Sequence, residues 1–172
     1  ASIKTECANT NADLDLKSAV AAQHLGLWYQ ARSFAQQWSK ATRVHQDHGP
    51  TVSIIIPTYN RLDTLDRALK SIANQLYKNI EVVIVNDAGQ SIKAIVDKYR
   101  DLLEVVEVNN SQNLYLAGSR NQGIQNASGT YLNFLDDDDQ LYPHHVGHLV
   151  HLAETSGLPA SQALCLRQVE GY

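Results

Sequence analysis

Two kinds of hydrophobic spacing alternate along most of this chain. The stretch "TVSIII" (51–56) is a short, continuous, β-branched apolar run that ends at Pro57. That length and content predict a strand buried on both faces. "RLDTLDRALKSIANQ" follows, with Leu62, Leu65, Leu69 and Ile72 three or four apart, the spacing of one helix face. The alternation repeats. "NIEVVIVND" reads as a second buried strand, "SIKAIVDKYRD" as a helix and "LLEVVEV" as a third strand. "LAGSRNQGIQNA" reads as a helix, "GTYLNFL" as a fourth strand, and "PHHVGHLVHLAET" as a helix with Pro143 at its first position. "SQALCLRQV" starts a fifth strand. Strands that alternate with helices predict an α/β fold: a Rossmann-like, mostly parallel sheet with helices on both faces.

Residues 1–50 follow another pattern. Between Asp13 and Gln46 there is no proline, and Leu25, Trp28, Ala31, Ala35, Trp38 and Thr42 recur at helical spacing. This predicts an N-terminal helical segment whose aromatic stripe packs on the following domain or on a partner, including a second copy. "HQDHGP" reads as the linker. The expected organisation is a helical extension over residues 1–50 and a nucleotide-type domain over residues 51–172.

Composition narrows the function classes. The 172 residues are 44% apolar and 19% charged, as in a globular chain, and the net charge is −4. That charge gives no electrostatic support for nucleic acid as a general partner. No apolar run approaches the roughly 18 residues that cross a bilayer. Cys7 and Cys165 match no metal spacing and read as free thiols of a reducing compartment. The expected location is cytoplasmic, peripheral to a membrane through partners.

The chemistry sits where the strands end. In open α/β sheets, ligands bind beyond the carboxyl ends of the strands. Strand one ends in "PTYN" (57–60), strand two in "NDAG" (86–89) and strand four in "DDDD" (136–139). Each alone is an ordinary turn; three at like ends would converge on one crevice. Four adjacent carboxylates also repel one another. In an extended segment Asp136 and Asp138 face one side, a pair suited to Mg²⁺ or Mn²⁺ completed by water and a substrate phosphate. Such an ion would also relieve the repulsion. The plain alternatives are a solvated acidic loop, or carboxylates gathered at a helix start.

The segments "VSIIIPTYNRLDTLDRALKSIANQLYKNIEVVIVNDAG" and "NLYLAGSRNQGIQNASGTYLNFLDDDD" resemble the family 2 glycosyltransferases of the GT-A fold, from about Thr51 to Pro143. The resemblance implies a metal-dependent, inverting transfer of a sugar from a nucleotide-diphosphate sugar, with a UDP-sugar favoured, to an acceptor hydroxyl on a saccharide, lipid or protein. It implies that Pro57, Thr58 and Tyr59 line the base pocket with Tyr59 stacked on the base, and that Asn60 belongs to the same donor site. Asp87 would accept an N–H of the base, and Arg120 would approach the diphosphate. Asp138 would be the direct ligand of Mn²⁺ or Mg²⁺, with Asp136 or Asp137 on the ribose or on metal-bound water. The chain departs from the pattern at Asn86, where the family often has aspartate, and at Ala88–Gly89, where Gly-Ser is usual.

Several points stay open at this stage. Arg120 also reads as a helix-surface arginine in an ion pair. Glu154 and Glu170 follow the acidic run, but neither lies in a recognisable acceptor motif, so no general base is assigned. The resemblance therefore implies a donor half with little acceptor half. His144, His148 and His151 share a helix face next to His145, as a polar face or a zinc site. Two other functions compete: a non-catalytic nucleotide-sugar-binding or assembly module, and a nucleotidyltransferase. "PTYNRLD" lacks the glycine-rich phosphate loop usual in the latter.

Overall fold

The computed structural model describes residues 49–157 and residue 160. The N-terminal helical segment and "SQALCLRQV" lie outside the described residues, as do Cys7, Cys165 and Glu170. One compact unit runs through His45–Leu141, and the described part of a second begins at Tyr142.

In the first unit, four strands and three helices alternate: β1 (Val52–Thr58), α1 (Leu62–Ala73), β2 (Ile80–Asn86), α2 (Lys93–Asp97), β3 (Glu104–Asn109), α3 (Tyr115–Asn126) and β4 (Tyr131–Phe134). All pairings are parallel and the strand order is β3-β2-β1-β4. Every residue of β1 and β2 is buried, as their unbroken apolar runs predict. The chain moves outward from β1 through β2 to β3, then returns to the other side of β1 for β4. Right-handed crossovers in opposite directions put α3 on the face opposite α1 and α2.

The register shows how the α3 face is built. Ile55 pairs with Val83, Val83 with Val106, and Val85 with Val108; Ala127 packs against this cluster. The residues of α3 that are buried are small, Ser119 and Gly123. A Cβ on Gly123 would overlap Ile55 Cγ2, so the helix lies close on the branched side chains of β1. On α1, Leu65, Ala68, Leu69 and Ile72 are buried, the stripe expected from their spacing. The second helix is shorter than expected, five residues, and β1 runs through Pro57 and Thr58.

At the amino ends of the strands a buried carboxylate ties the α3–β4 loop to the sheet. Ser53 Oγ donates to Glu81 Oε2, Ser128 N–H to Glu81 Oε2 at 2.9 Å, and Ser128 Oγ to Glu81 Oε1 at 2.7 Å. Burial raises the Glu81 pKa, but these donors outweigh it and hold the carboxyl below its ordinary value.

In the second unit, α4 (His145–Ser156) is capped by Gly157 in the left-handed conformation, φ 64°. Pro143 lies two residues before this helix rather than at its first position. His144 and His145 are pushed down to about 4 by burial and by neighbouring imidazoles. No helix among the described residues is long and apolar enough to cross a membrane.

Candidate functional site

The strand order reverses between β1 and β4, which places a crevice beyond their carboxyl ends. A cleft of about 380 Å³ lies there. The three polar strand ends do converge on it. Pro57, Thr58 and Tyr59 come from the end of β1, Asp87 from the turn after β2, and Asp136, Asp137 and Asp138 from the turn after β4. Tyr59 is half exposed into the cleft, while Asp87 and Asp137 are buried.

The acidic run does not continue the strand. Leu135 N–H still donates to Ile55 O at 3.1 Å, but Asp139 N–H then turns back to Asp136 O at 3.0 Å. The expected extended segment with Asp136 and Asp138 on one face and Asp137 on the other is therefore corrected: a turn brings all three to the cleft. Beyond Leu135 the ladder gives way, and the carboxylates bond to side chains instead.

Those partners are two arginines and a hydroxyl. Thr58 Oγ1 donates to Asp137 Oδ2 at 2.8 Å. One nitrogen of Arg61 donates to Asp137 Oδ1 at 3.2 Å and Asp138 Oδ2 at 3.0 Å. Arg120 Nη2 donates to Asp136 Oδ1 at 2.7 Å, and its guanidinium lies 5.6 Å over the Phe134 ring. Two cations thus offset much of the repulsion among the aspartates. The Asp139 carboxyl is still raised above its ordinary value, by burial and then by Asp138 and Asp136.

Asp87 organises the opposite wall. Its Oδ1 accepts Leu114 N–H at 2.7 Å and Asn110 Nδ2 at 2.8 Å. Burial raises its pKa, and the donors from Leu114, Asn110 and their neighbours reverse this, so the carboxyl sits below its ordinary value. Asn60 and Asn86 knit the turn beside it: Asn60 Oδ1 accepts Gln90 N–H at 2.7 Å, and Asn86 Oδ1 accepts Gly89 N–H at 3.0 Å. Neither Asn60 nor Arg120 lines the cleft; Arg120 adopts the ion pair that was its plainer reading.

The sequence alone did not point to Arg61, Asn113, Tyr115, Leu116 and Ser119, which also line the cleft. Arg61 follows "PTYN" directly and was a usable signal: an arginine beside a polar strand end. The other four required knowing that Asp87 draws in the loop before α3.

Among the described residues no three carboxylate, imidazole or thiol groups gather as a metal cage. Asp138 fits a different arrangement. It is more than half exposed on the cleft wall and is held by one hydrogen bond from an equally exposed Arg61. An exposed carboxylate beside a second one suits Mg²⁺ or Mn²⁺, whose remaining ligands are water and phosphate oxygens.

Known proteins share this arrangement of strands. The family model described as Glycosyl transferase family 2 matches residues 53–163, more than half of the chain. The GalNAc(5)-diNAcBac-PP-undecaprenol beta-1,3-glucosyltransferase of Campylobacter jejuni is 33% identical over 71% of this chain and 40% of its own length. Staphylococcus aureus TarS 1-349 in complex with UDP-GlcNAc superposes with a TM-score of 0.58 at 28% identity, over 61% of this chain and 31% of that one. The mannosyltransferase PcManGT of Pyrobaculum calidifontis, in complex with GDP-Man and Mn²⁺, gives a TM-score of 0.50 at 25% identity, over 73% of this chain and 40% of that one. The chain spans between about one seventh and two fifths of the length of the curated relatives it matches. With the GT-A-type parallel sheet, the crevice at its switch point and the match across residues 53–163, the chain belongs to glycosyl transferase family 2.

Proposed function

We propose that residues 51–141 are the donor site of an inverting glycosyltransferase that takes a UDP-sugar and transfers the sugar to an acceptor hydroxyl. The observation that carries this reading is the gathering of Tyr59, Asp87 and Asp136–Asp138 around one cleft from three different strand ends. Tyr59 offers a half-exposed ring to a base, and Asp87 an acceptor for its N–H. Asp137, fixed by Thr58 and Arg61, orients the acidic turn toward the ribose and diphosphate. The complex of TarS with UDP-GlcNAc supports a uridine donor. The name of the Campylobacter relative supports a glycan on a polyprenyl diphosphate as the acceptor class, and so polysaccharide assembly near a membrane.

Asp138, with Asp136 beside it, would hold Mn²⁺ or Mg²⁺, a Lewis acid for the charge that develops on the departing diphosphate. The complex of PcManGT with Mn²⁺ supports that choice of ion. Arg61, exposed on the same wall, brings further guanidinium donors to the phosphate oxygens.

The test is calorimetry of the full chain with Mn²⁺ and a panel of nucleotide sugars, followed by assay for released nucleoside diphosphate. UDP-sugars should bind, and only with the metal present. Absence of binding by every donor overturns the reading. Binding without release in the presence of acceptors would instead identify a donor-binding module.

A further inference from the structure

Tyr115 has φ 58°, in the left-handed region where glycine is at ease and a bulky side chain is not. Hydrogen bonds from its own N–H and from that of the preceding residue hold it there. Leu114 N–H donates to Asp87 Oδ1 at 2.7 Å, and the N–H of Tyr115 donates to Asn113 Oδ1 at 2.9 Å. Asn110 N–H donates to Asn86 O at 2.9 Å, so the whole loop between β3 and α3 is pinned to the end of β2.

The ring carried on this strained backbone packs against little. It is 78% exposed, more than any other large hydrophobic residue among those described, and it lines the cleft. Stability gives no reason for a tyrosine here: glycine would relax the backbone and leave less apolar surface in water. Backbone strain that packing does not explain gathers at binding sites. The cleft also contains a second exposed ring. Tyr59, 48% exposed, leaves the end of β1, while Tyr115 is tied through Asp87 to the end of β2. These strands are neighbours, and Asp87 N–H donates to Thr58 O at 2.9 Å. The two rings therefore flank the turn that carries Asp87.

A nucleobase has two π-faces, and each can be covered by an aromatic ring. We infer that Tyr115 covers the face of the donor's base that Tyr59 leaves open, so that the base is held between two tyrosines with its edge toward Asp87. Tyr115 is thus a nucleotide-binding residue, and its backbone strain is the cost of holding the ring over the cleft. This rests on the donor reading above.

The experiment measures UDP affinity with Mn²⁺ by calorimetry on the full chain, for the wild type, Tyr115→Gly, Tyr115→Phe and Tyr59→Ala, with the thermal midpoint of each. Loss of one base stack corresponds to a weakening of roughly tenfold. Tyr115→Gly should show that loss with an unfolding midpoint equal to or above the wild type. Tyr115→Phe, which keeps the ring, should bind within about twofold of the wild type. Wild-type affinity in Tyr115→Gly overturns the inference, and so does a lowered midpoint, because the ring would then be structural. An equal loss in Tyr115→Phe also overturns it, since the hydroxyl and not the ring face would be the contact. If Tyr59→Ala weakens UDP and Tyr115→Gly does not, the donor reading stands while this inference falls. If the wild type binds no UDP, both fall.

Discussion

A single nitrogen of Arg61 joins two neighbouring carboxylates across the cleft wall, Asp138 at 3.0 Å and Asp137 at 3.2 Å. The two ends of this bridge differ. Asp137 is buried and also receives Thr58, whereas Asp138 is more than half exposed, like Arg61 itself. The exposed half is held weakly, because exposed ion pairs contribute only about 0–1 kcal/mol. Asp138 is therefore available to a ligand in a way that Asp137 is not. Asp138→Asn should abolish Mn²⁺-dependent UDP binding while leaving the urea midpoint nearly unchanged. Arg61→Ala should act in the other direction on the metal, since it removes the cation that shares Asp138. Mn²⁺ titrated without nucleotide should bind this variant several-fold more tightly, as read by electron paramagnetic resonance. Unchanged metal-dependent binding in Asp138→Asn would move the ion elsewhere.

Tyr59→Ala removes a ring that is half exposed in the cleft just beyond the end of β1. The loss should fall on the nucleotide and not on the fold. UDP affinity should drop by about 1–3 kcal/mol, the range for a base stack removed by truncation to alanine. Calorimetry with UDP and with uridine separates the base from the diphosphate, and the loss should be similar for the two ligands. A loss confined to UDP would put Tyr59 against the phosphates.

Much of this arrangement is legible in the residues because the physics is local. "TVSIII" and "NIEVVIVND" are apolar on both faces apart from Ser53 and Glu81 near their starts, so they read as central strands, and their ends face the same way once helices connect them. That alone brings Tyr59, Asp87 and the aspartates to one edge. The acidic turn was not legible. An extended run and a tight turn differ by the bond from Asp139 N–H to Asp136 O, and the choice depends on Arg61 and Arg120, which lie 77 and 16 positions away from the aspartates they bind. The left-handed Tyr115 was equally hidden. Its conformation is set by the carboxylate of Asp87, 27 positions before Leu114, and no propensity of Tyr itself favours it.

Acid should destabilise the fold through two carboxylates. Glu81 and Asp87 both have folded-state pKa values below the ordinary 4.5 and 3.8, in each case because donors outweigh the effect of burial. A group with a depressed folded pKa binds more protons unfolded than folded. Its stabilising contribution is therefore complete above the unfolded pKa and is lost as pH falls through the folded one. The part of the unfolding free energy that these two groups carry should be flat near neutrality and decline below about pH 4.5, while His144 and His145, lowered from 6.5 to about 4, add their own decline from about pH 6.5 downward. Glu81→Gln should remove part of that decline. It should also lower stability at pH 7 by about 1–3 kcal/mol, because an amide cannot accept from Ser53 and both Ser128 donors as a carboxylate does. Denaturant titrations between pH 3 and 7 would show both effects; an unaltered slope in Glu81→Gln would assign the acid sensitivity to other groups.

Gly123→Ala tests how closely α3 lies on the sheet. Two effects oppose each other. Alanine is the better helix former, by about 1 kcal/mol in a helix interior. Yet the new Cβ would overlap Ile55 Cγ2, and Ile55 is fully buried in the central strand, so it has no space to yield. Overpacking of a tight core costs about 1–3 kcal/mol, which exceeds the propensity gain. The net expectation is a loss of stability, read from the urea midpoint with an unchanged slope. Ile55→Leu offers the check, because leucine has no branch at Cβ and so lacks the offending methyl. In the double variant Gly123→Ala with Ile55→Leu, the alanine should be less harmful than in the wild-type background, a coupling between two residues in contact. Strict additivity would mean that α3 does not rest on Ile55, and the close approach that carries Ser119 to the cleft would have to be redrawn.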